Sequence, residues 1–94
     1  MKLEWSAIAP ADLDRFAAFL HERHPRLAQV IAVEIREKSR LLEDHPLLGR
    51  AIEGRPQYRE LMLEVANATY VFRYAFDGER LVMLRVFHSR EQRE

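Results

Sequence analysis

The fold of this chain is decided by the stretch Thr69-Tyr-Val-Phe-Arg-Tyr-Ala-Phe-Asp-Gly-Glu-Arg-Leu-Val-Met-Leu-Arg-Val-Phe-His-Ser-Arg90. Its first part, 69–76, alternates in the way of a strand and places Tyr70, Phe72, Tyr74 and Phe76 on one face. Asp77-Gly78 is a strong signal for a two-residue hairpin turn. The segment 81–88 that follows is apolar on both faces, which predicts a central strand or one covered by helices. The stretch therefore predicts an antiparallel hairpin whose last strand runs into His88 and Arg90.

A third strand is predicted immediately before this hairpin. Residues 58–65 alternate, with Leu61, Leu63 and Val65 on one face and two glutamates on the other. Asn67-Ala68 is a plausible turn into the next strand. The segment 44–56 contains two prolines and two glycines and is predicted to be a loop. Within this loop, Gly49 is expected to supply a positive φ, which glycine adopts easily.

Two helices and a short strand are predicted in the first half of the chain. Residues 2–5 alternate like a strand. A helix starts near Pro10 and ends at His24-Pro25, because the residue before a proline avoids the helical region. A second helix is expected from Pro25 or Arg26 to Glu43. The apolar faces of the two helices carry Leu13, Phe16, Ala17 and Leu20 in the first and Leu27, Ile31, Ile35 and Leu42 in the second.

These elements predict an α+β fold in the order β-α-α-β-β-β, with residues 1–94 forming a single domain. The two helices are joined by almost nothing and should form an antiparallel hairpin. That helical hairpin should pack on one face of the three-stranded antiparallel meander, since an apolar sheet face and an apolar helix stripe each need cover.

Composition excludes several classes of protein. The 94 residues are 48% hydrophobic and 32% charged, as in an ordinary globular domain, and there is no cysteine. The N-terminus lacks the apolar core of a signal peptide, and no run approaches the roughly 18 residues of a membrane span. We therefore expect a cytoplasmic protein with no membrane association. The 15 basic and 15 acidic residues balance, which argues against strong nucleic-acid binding by this chain alone.

Basic side chains at the end of the last strand are the first candidate site. His88 with Arg90 and Arg85 could perform acid–base chemistry on a phosphodiester, or bind phosphate or carboxylate. The spacing is a weak signal, so His88 and Arg90 are only weak catalytic candidates, and an ordinary solvated strand end is the plainer alternative.

Three further arginines are candidates for contact or for structure. Arg59 shares a strand face with Leu61 and Leu63, and an arginine there more often pairs with an acid or extends past the apolar surface to water. Arg73 is ambiguous in the same way. Arg50 follows Gly49 in the loop, where a tethering salt bridge is the more ordinary role.

Metal and cofactor sites are not indicated. His21 and His24 are three residues apart on a helix, but no third ligand is evident. The sequence contains neither a glycine-rich phosphate loop nor a Gly-x-Ser-x-Gly nucleophile motif. We expect no metal and no cofactor.

A succession of short motifs along nearly the whole chain resembles the ParE branch of the RelE/ParE toxin superfamily of type II toxin–antitoxin systems. The motifs are Trp5-Ser6, Ala9, Asp12-Leu13, Ala28, His45-Pro46-Leu47-Leu48-Gly49-Arg50, Tyr58-Arg59-Glu60-Leu61, Tyr70-Val71-Phe72-Arg73-Tyr74 and Leu84-Arg85-Val86-Phe87-His88-Ser89-Arg90. Each motif is short and degenerate, but their order and spacing agree with the family.

The resemblance implies a toxin with the β-α-α-β-β-β fold and an operon partner, a ParD-like antitoxin whose C-terminal part wraps the toxin. It also implies two candidate activities. ParE-type toxins act on DNA gyrase, and RelE-type toxins cut messenger RNA on the ribosome. The target- or antitoxin-binding candidates are then the basic residues of the strands and loop: Arg50, Arg59, Arg73, Arg85, His88 and Arg90.

The residues favour the gyrase-directed branch. RelE-type nucleases are strongly basic and commonly carry an arginine after the strand tyrosine, where this chain has Val71 after Tyr70. They often have a tyrosine beyond the last basic cluster, where this chain has only Glu-Gln-Arg-Glu after Arg90. His88-Ser89-Arg90 resembles the His-Gly-Arg ending of ParE-like chains. We therefore expect a toxin that inhibits gyrase by contact and is not itself an enzyme. The alternatives are a ribosome-dependent endoribonuclease and an inactive antitoxin-binding module.

Overall fold

The computed structural model describes residues 1–21, 24–65 and 68–90, with the backbone alone for residues 16–21. The elements follow the predicted order with two additions. They are β1 (Leu3–Trp5), α1 (Ile8–His21), α2 (Pro25–Ser39), α3 (Leu41–Asp44), β2 (Arg50–Ile52), β3 (Arg55–Val65), β4 (Ala68–Phe76) and β5 (Leu81–His88).

The strands form one mixed five-stranded sheet in the order β1-β5-β4-β3-β2. β3, β4 and β5 make the predicted antiparallel meander, and β1 pairs in parallel with β5, from Leu3 opposite Leu81 to Trp5 opposite Met83. β5 therefore lies between two strands, which confirms the prediction from its apolar character on both faces.

The helices cover one face of this sheet, and the core lies between the helices and that face. Phe72, Tyr74, Leu81 and Met83 are fully buried there, and Ile35 meets them from α2. The apolar stripe predicted on the second helix is confirmed for Ile31, Ile35 and Leu42, whereas Leu27 is exposed and Ala28 is buried in its place. On the first helix Leu13 is buried, and the predicted Phe16, Ala17 and Leu20 lie outside the side chains that the structure describes.

The helix predicted to run unbroken to Glu43 is divided. α2 ends at Ser39 and α3 begins at Leu41, with Arg40 between them in a helical conformation. The Ser39 hydroxyl is fully buried and donates to the carbonyl of Arg36. A serine that hydrogen-bonds back to its own helix competes with the regular backbone pattern, which is the local reason for the break.

The prediction that residues 44–56 form a loop is wrong at two places. Residues 50–52 form the edge strand β2, and β3 begins at Arg55, three residues before its predicted start. The two strands join through a tight turn in which Gly54 has φ +78°. β2 is short and carries no alternating apolar residues, so no local sequence pattern predicts it. It forms a strand because it pairs with β3.

The Asp77-Gly78 turn is confirmed as a hairpin, but four residues separate the strands. Phe76 and Leu81 close the ladder, and Gly78 has φ +95°. The Asp77 carboxylate accepts the backbone N–H groups of Glu79 and Arg80 at 2.9 and 2.8 Å, and these hydrogen bonds lower its pKa. The other predicted turn, at Asn67, lies outside the described residues. No helix within the described ranges is long and apolar enough to cross a membrane.

Candidate functional site

The predicted basic residues do not form one cluster, because alternation along the strands separates them. Arg73 is opposite Arg85 in the β4–β5 ladder, and Tyr70 is opposite His88. Tyr70 belongs to the core beneath the helices, so His88 emerges on the helix-covered side. Arg73 and Arg85 lie on the other side, which we call the open face. The sheet therefore stands between His88 and these two arginines.

Arg73 is held on the open face by an acidic neighbour from β3. Its Nε and Nη2 atoms donate to one oxygen of Glu60 at 2.9 and 2.7 Å. Glu60 is also the residue opposite Arg73 in the β3–β4 ladder. Cross-strand pairing of opposite charges stabilises a sheet modestly, and here it compensates the charge of Arg73.

Arg85 is compensated by a buried carboxylate on α1. Its Nε and Nη2 donate to the two oxygens of Asp12 at 2.9 and 3.0 Å, and Asp12 also accepts the backbone N–H of Val86 at 2.9 Å. Among the described residues, no strand pairs with that edge of β5 beyond Trp5, so the Asp12 carboxylate accepts the Val86 N–H in place of a strand carbonyl. Arg15 contributes a third basic contact at 2.7 Å.

The charge state of Asp12 follows from these contacts. The residue is only 1% exposed, and burial by itself would raise its pKa. The hydrogen bonds from Arg85, Val86 and Arg15 outweigh burial, so the pKa of Asp12 lies below its ordinary value of 3.8. Asp12 is thus ionised at neutral pH and holds Arg85 on the open face.

An aromatic ring links the two open-face arginines. The guanidinium carbons of Arg73 and Arg85 lie 5.2 and 4.7 Å from the ring centre of Phe87. These distances are in the range of cation–π attraction. Two arginines directly opposite each other would otherwise repel, and the ring together with Glu60 and Asp12 stabilises their approach.

Arg59 has a structural position and tethers the loop before β2. Its Nη1 donates to the carbonyl of Gly49 at 2.7 Å and, more weakly, to that of Leu47 at 3.4 Å. Tyr74 also holds this loop, from the helix-covered side of the sheet. Its hydroxyl accepts the Gly49 N–H and donates to the Pro46 carbonyl, both at 2.8 Å. Burial raises the pKa of Tyr74, against the Gly49 N–H bond and the charge of Arg59, which act to lower it.

The prediction that Gly49 supplies a positive φ is wrong. Of the described glycines only Gly54 and Gly78 have positive φ. Gly49 is required for a different reason, since a Cβ there would lie 2.7 Å from Cε1 of Tyr74 and 2.9 Å from the carbonyl oxygen of Glu60. The glycine lets the loop backbone approach the tyrosine ring closely enough to bind its hydroxyl.

His88 and Arg90 lie together at the end of β5. The His88 ring meets the Tyr70 ring edge to face with 5.3 Å between centres, and its Nδ1 accepts the backbone N–H of Arg90 at 3.1 Å. A neutral imidazole that accepts at Nδ1 carries its proton on Nε2. Ser89 and Arg90, which follow His88, are exposed.

The remaining predicted contact residue, Arg50, is exposed at the start of edge strand β2. It lies beside the open-face residue Glu60 in the ladder. As for metal sites, the described residues hold no group of three histidine, aspartate or glutamate side chains placed to bind an ion. The side chain of His21, one of the two histidines considered above, lies outside the described residues.

Sequence reasoning missed Asp12 as a site residue and named it only within the Asp12-Leu13 motif. A detectable sign was present, because Ala9, Asp12 and Leu13 follow the spacing of one helix face. An acidic residue on an apolar helix face requires a partner when it is buried. Arg55, which lies on the open side of β3 near Tyr58, carried no comparable signal.

Comparison with known proteins agrees with this architecture. The sequence profile of the family described as ParE toxin of type II toxin–antitoxin system, parDE, matches residues 3–93. The chain is 31% identical over 88 residues to Toxin RelE1 of Caulobacter vibrioides, covering 94% of this chain and 92% of that protein.

Solved structures place the fold in the same group. A chain of the chromosomal ParDE toxin–antitoxin system from P. aeruginosa superposes with a TM-score of 0.77 at 26% identity, covering 94% of this chain and 95% of that one. A conserved hypothetical protein from Helicobacter pylori shares the fold with a TM-score of 0.54 at 16% identity, covering 97% of each chain. With a family match across nearly its whole length, this chain belongs to the ParE toxin family of type II toxin–antitoxin systems, within the RelE/ParE superfamily.

Proposed function

We propose that this type II toxin acts by protein–protein contact on DNA gyrase and does not cleave RNA. The observation that supports the proposal is the separation of the basic residues by the sheet. Arg73 and Arg85 are paired with Glu60 and Asp12 on the open face, while His88 lies on the other side. A general acid or base must lie within hydrogen-bond reach of the group it serves. Here the sheet separates His88 from any phosphodiester that Arg73 and Arg85 could bind, and the Glu60 and Asp12 carboxylates are engaged in ion pairs with these arginines.

Charge supports the same proposal. Binding to RNA is dominated by uncompensated lysine and arginine contacts to phosphate. The chain has a net charge of zero, and the two central arginines of the open face donate to carboxylates of the same molecule. A surface of this kind is better suited to a protein partner, whose interface combines apolar contacts with a few paired charges.

Purified toxin added to gyrase is the direct test. Inhibition of supercoiling, or accumulation of gyrase–DNA cleavage complexes, is expected without any change to RNA. Induction in cells followed by primer extension on translated messages is expected to give no new cleavage sites. New cleavage sites that disappear in the variant His88→Ala/Arg90→Ala would overturn the proposal in favour of a ribosome-dependent endoribonuclease.

The toxin–antitoxin family implies an antitoxin partner, and we propose that a ParD-like antitoxin covers the outer side of α2. Leu27, Val30 and Val33 are exposed there at spacings of three residues. Apolar residues in a row on an exposed helix mark an interaction surface more often than isolated ones do. An amphipathic antitoxin helix laid along this row would bury it.

Co-expression with a ParD-like antitoxin tests this surface. The variant Val30→Glu/Val33→Glu should remain folded and toxic but lose neutralisation, because two charges would be buried in the complex. Gln29→Glu is the matched control, since Gln29 is exposed on the same helix and outside the apolar row. If both variants are neutralised like the wild type, the antitoxin binds elsewhere.

A further inference from the structure

The two edges of the five-stranded sheet are finished differently. β1 is the last strand at one edge and β2 is the last strand at the other. An edge strand turns a row of backbone N–H and C=O groups away from its neighbour, and these groups can pair with a strand of another molecule. An edge is closed to such pairing where the chain's own side chains already bind these groups.

Two carboxylates cover the edge that is formed by β1 and the end of β5. The backbone N–H of Leu3 in β1 donates to the Glu43 carboxylate at 2.6 Å. Further along this edge, the backbone N–H of Val86 in β5 donates to the Asp12 carboxylate at 2.9 Å. A strand of another molecule would have to displace both carboxylates, so this edge is protected against further pairing.

The opposite edge, which we call the β2 edge, consists of residues 50–52. Within the described ranges β2 pairs with β3 and with no other strand. Arg50 and Ala51 are exposed, and Ile52 is half-buried. The strand is short and its register shifts between Ala51 and Ile52, which limits the number of hydrogen bonds that pairing here can add. The β2 edge can therefore accept one short strand, and stable association needs further contacts beside it.

Two leucines shortly before the β2 edge supply apolar surface for such contacts. Leu47 is 62% exposed and Leu48 is 50% exposed. Their loop is ordered, because the Tyr74 hydroxyl and the Arg59 guanidinium form hydrogen bonds with the backbone of residues 46–49. Burying these leucines against another molecule therefore costs little additional backbone entropy.

The charges that flank β2 are complementary to each other under a two-fold rotation. Arg50 is the first residue of the strand and Glu53 follows its last residue, and both are exposed. When two copies of β2 pair antiparallel about an axis between Ala51 and Ile52, Arg50 of each copy lies beside Glu53 of the other. The symmetry therefore forms two contacts between opposite charges. This self-complementarity favours a second copy of the chain over an unrelated strand.

We infer that two copies of this chain associate through their β2 edges. The two sheets then form one continuous sheet, with the Leu47–Leu48 loops close to the junction and two pairs of Arg50 and Glu53 across the axis. Because Glu43 and Asp12 cover the opposite edge of each sheet, association stops at a closed dimer and does not continue into a fibre. The inference goes beyond the proposed action on gyrase and does not depend on it.

Sedimentation velocity of the purified full-length toxin, over a wide range of concentrations, tests the inference by charge reversal. The wild type should form a dimer. Arg50→Glu and Glu53→Arg should each weaken self-association on the order of tenfold, because two attractions become repulsions. An equimolar mixture of these two variants should associate as tightly as the wild type, since opposite charges face each other again. The double variant Arg50→Glu/Glu53→Arg, in which both pairs are reversed, should also dimerise.

Arg36→Glu and Glu37→Arg, equal charge reversals at exposed positions of α2, are the matched controls. Each should self-associate like the wild type, and mixing them should add nothing. A wild type that stays monomeric at every concentration would overturn the inference, as would undiminished self-association of both edge variants. Failure of both the mixture and the double variant to associate would do the same. Because the experiment contains no gyrase, its outcome is independent of the supercoiling test.

Discussion

Tyr74 and Arg73 are neighbours on β4, yet they are stabilised by opposite means because they face opposite sides of the sheet. Tyr74 is fully buried beneath the helices and satisfies its hydroxyl with backbone groups of one loop. Arg73 is partly exposed and donates two hydrogen bonds to one carboxylate oxygen of Glu60. Burial makes positions such as Phe72 on the helix-covered face intolerant of substitution, whereas exposed positions of the open face such as Met62 can be altered with little loss of stability.

The largest expected difference between the faces comes from removing an aromatic ring. Phe72→Ala empties a fully buried position and should lower the free energy of unfolding by about 3–5 kcal/mol. Met62→Ala is the matched control, since Met62 is 63% exposed on β3 and should change stability by less than about 0.5 kcal/mol. Urea unfolding followed by circular dichroism measures both. Equal losses would show that the open face is also packed.

The Asp12 carboxylate connects the two faces and gives the next largest effect. Asp12→Asn removes the charge that holds Arg85 while keeping one acceptor for the Val86 N–H, so a loss of about 1–3 kcal/mol is expected. Asp14→Asn, an exposed change on the same helix, should be nearly neutral.

The effect of Asp12 also depends on pH. Its pKa is lowered in the folded protein, so the carboxylate contributes stability above the ordinary value of 3.8, and this contribution is lost as the pH falls through the lowered folded value. Asp12→Asn should therefore reduce the acid-induced loss of stability, whereas Asp14→Asn should not. Identical acid profiles for the wild type and Asp12→Asn would mean that other carboxylates cause the acid unfolding.

The helix-covered face was largely predictable from the sequence, and the open face was not. Alternation in β4 and helical spacing at Ile31 and Ile35 report burial directly, so the core and the strand order of the meander followed from them. The pairing of Arg85 with Asp12, 73 residues apart, and the bulge at Leu84 depend on tertiary register, which no local pattern encodes. β2 was missed for the same reason. A need for glycine at position 49 was predicted, but the reason for it, the close approach of the loop to Tyr74, depends on the tertiary structure.

On the helix-covered side, the hydrogen bonds between the Tyr74 hydroxyl and the Pro46–Gly49 loop predict a smaller effect on stability. Tyr74→Phe keeps the ring but leaves the Gly49 N–H and the Pro46 carbonyl without their partner, which should cost about 1–2 kcal/mol. Faster amide hydrogen exchange at Gly49 is expected to accompany it, while exchange across the β4–β5 ladder stays slow. Tyr58→Phe, on the open face, is the control and should alter neither. Unchanged exchange at Gly49 would assign the loop's order to Arg59 alone.

The smallest effect on stability is expected where two opposite charges of the open face pair with each other. Glu60→Gln removes the partner of Arg73, and because both side chains are about a quarter exposed the loss should be only about 0–1 kcal/mol. The same change leaves Arg73 uncompensated, so affinity for a single-stranded oligoribonucleotide should rise and depend more steeply on salt, by a slope of about one. Glu37→Gln on α2 changes net charge equally, and should not produce this rise if the gain comes from Arg73. Equal gains in RNA affinity in the two variants would show that the affinity depends on overall charge. A gain confined to Glu60→Gln would show that one glutamate keeps the sheet of this toxin from attracting RNA.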